Sequence, residues 1–231
     1  MTVAARLADV RAGIDAACRA AGRAPTSVEL LAASKAQSAR SIRAAYDAGH
    51  QLFGESYVQE WRAKAEDPLL VGLPDLRWRF IGALQRNKAK YLVGRVECVE
   101  SVGKRSLAEE IARRSASGGR TTAVLLAVNV GREATKAGFL PEDLESEAVA
   151  IAALPGLRLE GLMAIPPPRH STAATRADHA IVSRLRDRLR DRLGLRLPTL
   201  SLGMSGDYPE AIAEGSTEVR IGTAIFGPRG A

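Results

Sequence analysis

No apolar run in the sequence reaches the roughly 18 residues that a membrane-spanning helix needs, so no such span is expected. Aromatic residues make up only 4% of the chain, and none interleaves with the basic residues as a base-stacking platform would require. The two cysteines, Cys18 and Cys98, show no CxxC spacing, which argues for free thiols in a reducing cytosol. His50, His170 and His179 are scattered, and no His/Cys cluster spells out a metal site. The first 22 residues carry acids and arginines and lack an uninterrupted apolar core, so they do not form a signal peptide. A cytoplasmic location is therefore expected. No GxGxxG turn and no GxSxG elbow is present, which weakens a Rossmann dehydrogenase and a serine hydrolase alike.

The formal net charge is +7. Its richest basic stretch, SRLRDRLRDRLGLRL at 183–197, places Leu185, Leu189 and Leu193 four apart, with Arg and Asp between them. That spacing describes the solvated face of an amphipathic helix rather than a nucleic-acid surface. A second helix is expected at the N-terminus, where Val3, Leu7, Val10, Ile14 and Ala17 recur at helical spacing.

Eight short apolar runs punctuate the rest: 28–34, 50–54, 78–82, 96–101, 123–130, 157–165, 198–203 and 218–227. Several are nearly continuous in apolar residues, as strands buried on both faces are. Each of the first seven is followed by a plausible helix. Ser38 is a candidate N-cap and Gly49 a stop for one, and Asp207 with Glu210 suggests a capping box for another. The alternation implies right-handed βαβ units and a single (β/α)8 TIM-type barrel over residues 1–231, with an additional N-terminal helix. An open doubly wound sheet is the main alternative.

Barrels of this kind carry their sites at the C-terminal ends of the strands. Lys35 follows the first run, and there its amine can be partly desolvated and made nucleophilic toward carbonyls. Gly203, Ser205, Gly206, Gly222 and Thr223 follow the last two runs, where barrels often bind phosphate. Glycines there would let backbone approach an anion, and the hydroxyls would add donors. Taken singly, Lys35 is a solvated rim lysine and the others are turn residues. One ligand with both an aldehyde and a phosphate would satisfy the whole set.

Five motifs then fall into place: ASKAQSARSIRAAYDAGHQLFGESYVQEW, WRFIGALQRNK, VNVGREATKAGF, GLMAIPPP and LSLGMSGDYPEAIAEGSTEVRIGTAIFG. In order and content they resemble the pyridoxal phosphate homeostasis proteins, the YggS/PROSC family, from about residue 5 to residue 228. The resemblance implies a monomeric alanine-racemase-like barrel lacking the second domain of true racemases. It implies pyridoxal 5′-phosphate held as a Schiff base on Lys35, with Ser205, Gly222 and Thr223 at the phosphate and Arg220 at the pyridine nitrogen. Asn129, Met163 and the segment around Glu55 and Ser56 would line the pocket. The implied role is intracellular homeostasis and delivery of the cofactor, with PLP-dependent apoenzymes as partners and no robust turnover. A low-activity racemase-like enzyme is the alternative. Two positions depart from the family pattern: Ser56 stands where an asparagine is usual and Arg79 where a histidine is usual. Arg79 lies between Trp78 and Phe80, so its side chain should face the opposite side of the strand from theirs.

Overall fold

Eight parallel strands close in chain order into a barrel: β1 (Glu29–Ala33), β2 (Leu52–Glu55), β3 (Arg77–Phe80), β4 (Cys98–Val102), β5 (Thr122–Val128), β6 (Leu157–Ala164), β7 (Thr199–Ser201) and β8 (Glu218–Ile221). The structure is a computed structural model and describes residues 1–228. β1 pairs with both β2 and β8, so the sheet has no free edge. The helices are α1 (Val3–Ala20), α2 (Ala39–Asp47), α3 (Val58–Ala65), α4 (Arg105–Ser117), α5 (Leu144–Ala152), α6 (Thr172–Leu193), α7 (Tyr208–Ala213) and α8 (Thr223–Phe226). This is the expected (β/α)8 barrel with a helix added before the first strand. No helix among the described residues is long and apolar enough to cross a membrane.

Local signals account for much of it. The Ser38 hydroxyl accepts the Ser41 N–H at 3.2 Å and caps α2, and Gly49 ends that segment at φ +78°. α1 buries Leu7, Val10, Ile14 and Cys18 and packs on α7, α8 and α2. α6 buries Leu185 and Leu189 and sets Arg190 beside Asp187 at 3.3 Å, as its amphipathic pattern requires.

Three expectations need correction. The last apolar run does not continue as strand to residue 227. β8 stops at Ile221 and Ala224–Phe226 form part of α8, because so short an apolar run carries no period to separate strand from helix. β3 is followed by a 3-10 helix (Arg86–Tyr91) rather than an α-helix. Asp207 precedes α7, but its side chain makes no capping bond to that helix and turns back instead to Met204 and His179.

Alternation sorts the strand side chains into two compartments. Trp78 and Phe80 join the main core between strands and helices, whereas Arg79 points into the barrel with a small apolar group of Cys98, Ala123, Leu125, Ala127 and Met163. Arg79 bonds Glu218, Glu97 (3.0 Å) and Glu29 (3.4 Å), and Glu100 lies at 3.8 Å. Ser201 Oγ sits 2.8 Å from Glu100 and 2.7 Å from Glu218, and it accepts a bond from Arg220. A hydroxyl has one hydrogen, so Ser201 can satisfy the two carboxyls only in part. Burial and the neighbouring Glu100 push the Glu218 carboxyl well above its ordinary range, against the pull of Arg79.

Candidate functional site

The C-terminal ends of the strands open into a cavity of about 360 Å³, within the range of small-molecule sites. Seven of the expected residues line it: Lys35, Ser56, Ser205, Gly206, Arg220, Gly222 and Thr223. Asn129 and Met163 line an adjoining cavity of about 210 Å³, which shares Ile81 and Ile165 with the first. The Asn129 amide is occupied in closing its own loop, donating to Glu133 O at 2.9 Å and accepting from Glu133 N at 3.1 Å.

Lys35 follows β1 in a tight turn closed by Gln37 N to Ser34 O at 3.0 Å. The expected desolvation is absent, because Lys35 is exposed. Its backbone, by contrast, is clamped. Lys64 of α3 donates to Ser34 O at 2.8 Å and to Glu55 at 2.6 Å, and Ser34 Oγ donates to Glu55 at 2.6 Å. Glu60 accepts the N–H of Ala36, which is held at φ +59°, at 2.8 Å. The clamped backbone therefore presents an amine that makes no hydrogen bond or ion pair among the described residues. Glu55 was expected to line the pocket, but it is fully buried and points instead into this clamp. Burial pushes its carboxyl up, and Lys64 works against that shift. Lys64 and Glu60 escaped sequence reasoning because their partners lie on other elements. Their one signal is the turn they share on α3.

Arg220 forms the floor. It is 4% exposed and fixed by Ser201 O at 2.7 Å and Ala164 O at 2.8 Å, so β8 holds a permanent cation beneath the cavity. Next to the lysine turn, after β7 and β8, lie the two glycine-containing loops, and the Gly222 position abuts Ala33 of β1. Among the described residues, the backbone N–H groups of Ser205, Gly206, Thr223 and Ala224 meet no protein acceptor, nor do the Ser205 and Thr223 hydroxyls make hydrogen bonds. Nothing lies within 4 Å of where a Gly206 Cβ would be, so this backbone faces open space. Gly203 does not share that role. It sits at φ +92°, and a Cβ there would meet Ala211 at 2.8 Å, so it serves the packing of α7 rather than approach to an anion.

Residues 7–230 match the family described as alanine racemase, N-terminal domain. The racemase of Corynebacterium glutamicum shares the fold at a TM-score of 0.69 and 15% identity, over 96% of this chain and 61% of that one. Fold and site thus define a barrel of the alanine racemase N-terminal class. Closer likenesses narrow the class. The pyridoxal phosphate homeostasis protein of Pseudomonas aeruginosa is 47% identical over 228 residues, covering 99% of this chain and 96% of its own. That of Aquifex aeolicus is 42% identical, covering 99% of both. PipY of Synechococcus elongatus, solved with PLP bound, matches at a TM-score of 0.85 and 38% identity, covering 98% of this chain and all of its own. The chain belongs to the pyridoxal phosphate homeostasis protein family.

Proposed function

We propose that this protein holds pyridoxal 5′-phosphate in the larger cavity as a reversible Schiff base on Lys35 and serves homeostasis and delivery of the cofactor. One observation carries the reading: a free amine and a set of unbonded N–H and O–H donors share a single cavity. An aldehyde condenses with the amine and releases water, and adding water back frees the cofactor. The donors of Ser205, Gly206 and Thr223, which line the cavity, suit a phosphate dianion. Arg220 is the cation available to the ring nitrogen, and a fixed cation there disfavours a proton on it. When bound, the cofactor supplies an electron sink for carbanion chemistry, which an unprotonated ring provides poorly.

The racemase-like alternative needs a second acid–base group facing the lysine. Among the described residues, Lys35 and Arg220 are the only ionisable side chains lining the larger cavity. This favours a carrier over an enzyme. The proposal extends to a single-domain monomer in the cytoplasm that passes the cofactor to PLP-dependent apoenzymes, for which an exposed lysine suits exchange. Adding pyridoxal 5′-phosphate to the wild type should produce a visible absorbance band that borohydride removes, and Lys35→Ala should lack it. A wild type with no band at saturating cofactor would overturn the proposal.

A further inference from the structure

Behind the proposed phosphate loops lies a polar contact that the cavity does not use. His179 of α6 is fully buried, on the same face as Val182, Leu185 and Leu189. Its Nδ1 has no partner among the described residues. An unmatched buried polar atom destabilises a fold, so packing alone does not account for a histidine here. Its Nε2 lies 3.1 Å from Asp207 Oδ2. Asp207 Oδ1 in turn accepts the Met204 N–H at 2.7 Å. The N–H groups of Asp207 and Tyr208 both donate to Met204 O, at 3.2 and 3.0 Å. The turn from Met204 to Asp207 is therefore closed by three bonds and tied to α6 by the fourth. Ser205 and Gly206 stand at its apex and line the cavity with free N–H groups.

We propose that His179 is a positioning residue for the phosphate end of the ligand, acting through Asp207 to fix the Met204–Asp207 turn. It would have a second effect on the same carboxylate. Asp207 is an anion beside a site for an anion, and the His179 and Met204 bonds hold its two oxygens away from the ligand. Burial tends to push the Asp207 carboxyl up, but those hydrogen bonds prevail and keep it below its usual range. The inference rests on the cofactor reading above and adds to it a residue on a helix outside the cavity.

The test compares pyridoxal 5′-phosphate with pyridoxal, which lacks the phosphate, by absorbance titration. Wild type should prefer the phosphorylated form, and inorganic phosphate should compete with it. His179→Leu should bind pyridoxal 5′-phosphate about tenfold more weakly, the scale of one lost charge-assisted bond, and bind pyridoxal as before. His179→Gln keeps an N–H donor near the Nε2 position and should restore most of the loss. A His179→Leu protein that binds both compounds as wild type does, or loses both equally, would overturn the inference. If His179→Leu does not fold, Asp207→Ala decides. Selective loss of the phosphorylated ligand supports the proposal, and its retention refutes it. A wild type that binds neither compound sinks the cofactor reading itself, an outcome distinct from the others.

Discussion

The two halves of the barrel treat polar groups in opposite ways. In the lower interior, Arg79, Glu29, Glu97, Glu100, Glu218 and Ser201 bond to one another across strands far apart in sequence. At the mouth, Lys35, Ser205, Gly206 and Thr223 leave donors without protein partners among the described residues. Bonds among protein groups fix a fold, although Arg79 Nε and Glu100 Oε1 are left without a hydrogen-bond partner among the described residues. Open donors converging on one cavity mark a ligand site. The contrast predicts that changes below should alter stability and changes above should alter binding.

The largest effect should come from Arg79→Met. It strips the cation from Glu218 and Glu100 and should cost about 3–5 kcal/mol in urea unfolding, because an uncompensated buried charge remains. A loss below about 1 kcal/mol would show that these charges are not coupled. Next comes acid. His50, buried at the other end of β2, has its pKa lowered to about 4 by burial, against 6.5 unfolded. The unfolded chain therefore binds the proton first. The stabilisation from keeping His50 neutral is complete above about pH 6.5 and is lost as pH falls toward 4. Between pH 7 and 5 this amounts to roughly 2 kcal/mol. The raised Glu218 carboxyl acts in the opposite direction, so the measurement is the difference between wild type and His50→Gln across that range. A His50→Gln protein with the wild-type slope would contradict the assignment.

At the mouth the signs should reverse. Ser205→Ala and Thr223→Val should each weaken pyridoxal 5′-phosphate binding by about 1.5–3 kcal/mol, since each removes a donor to a charged group, while unfolding shifts by less than about 0.5 kcal/mol. Equal losses of stability and binding would blur the contrast. The smallest effect expected is that of Lys35→Ala on the stability of the cofactor-free protein, within about 0.5 kcal/mol, because the side chain is exposed and makes no bond among the described residues.

Much of this was legible in the sequence, and what was missed has a physical cause. Each of the eight strands falls within one residue of an apolar run, although the last run is strand only as far as Ile221, since parallel strands buried on both faces are the strongest pattern in the chain. Arg79 faces away from Trp78 and Phe80, as alternation requires. Its partners could not be read, because Glu29, Glu97, Glu100 and Glu218 meet only when the barrel closes. Lys35 lies at the mouth, as its place after the first run predicts, but its exposure depends on neighbouring loops that no local pattern describes. Glu55 adjoins Ser56 in sequence yet points to the opposite side of the sheet, into the Lys64 clamp, as residues one apart on a strand do. Position along the barrel suggests that a lysine after β1 and the loops after β7 and β8 could share one ligand, and the family resemblance adds what that ligand would be.

The central claim is that the exposed, backbone-clamped lysine after β1 is the attachment point. Borohydride reduction of the cofactor-loaded protein, followed by proteolysis and mass spectrometry, tests it directly. The pyridoxyl mass should appear on the peptide that contains Lys35. Its appearance on the Lys136 peptide instead, or on no peptide, would contradict the account.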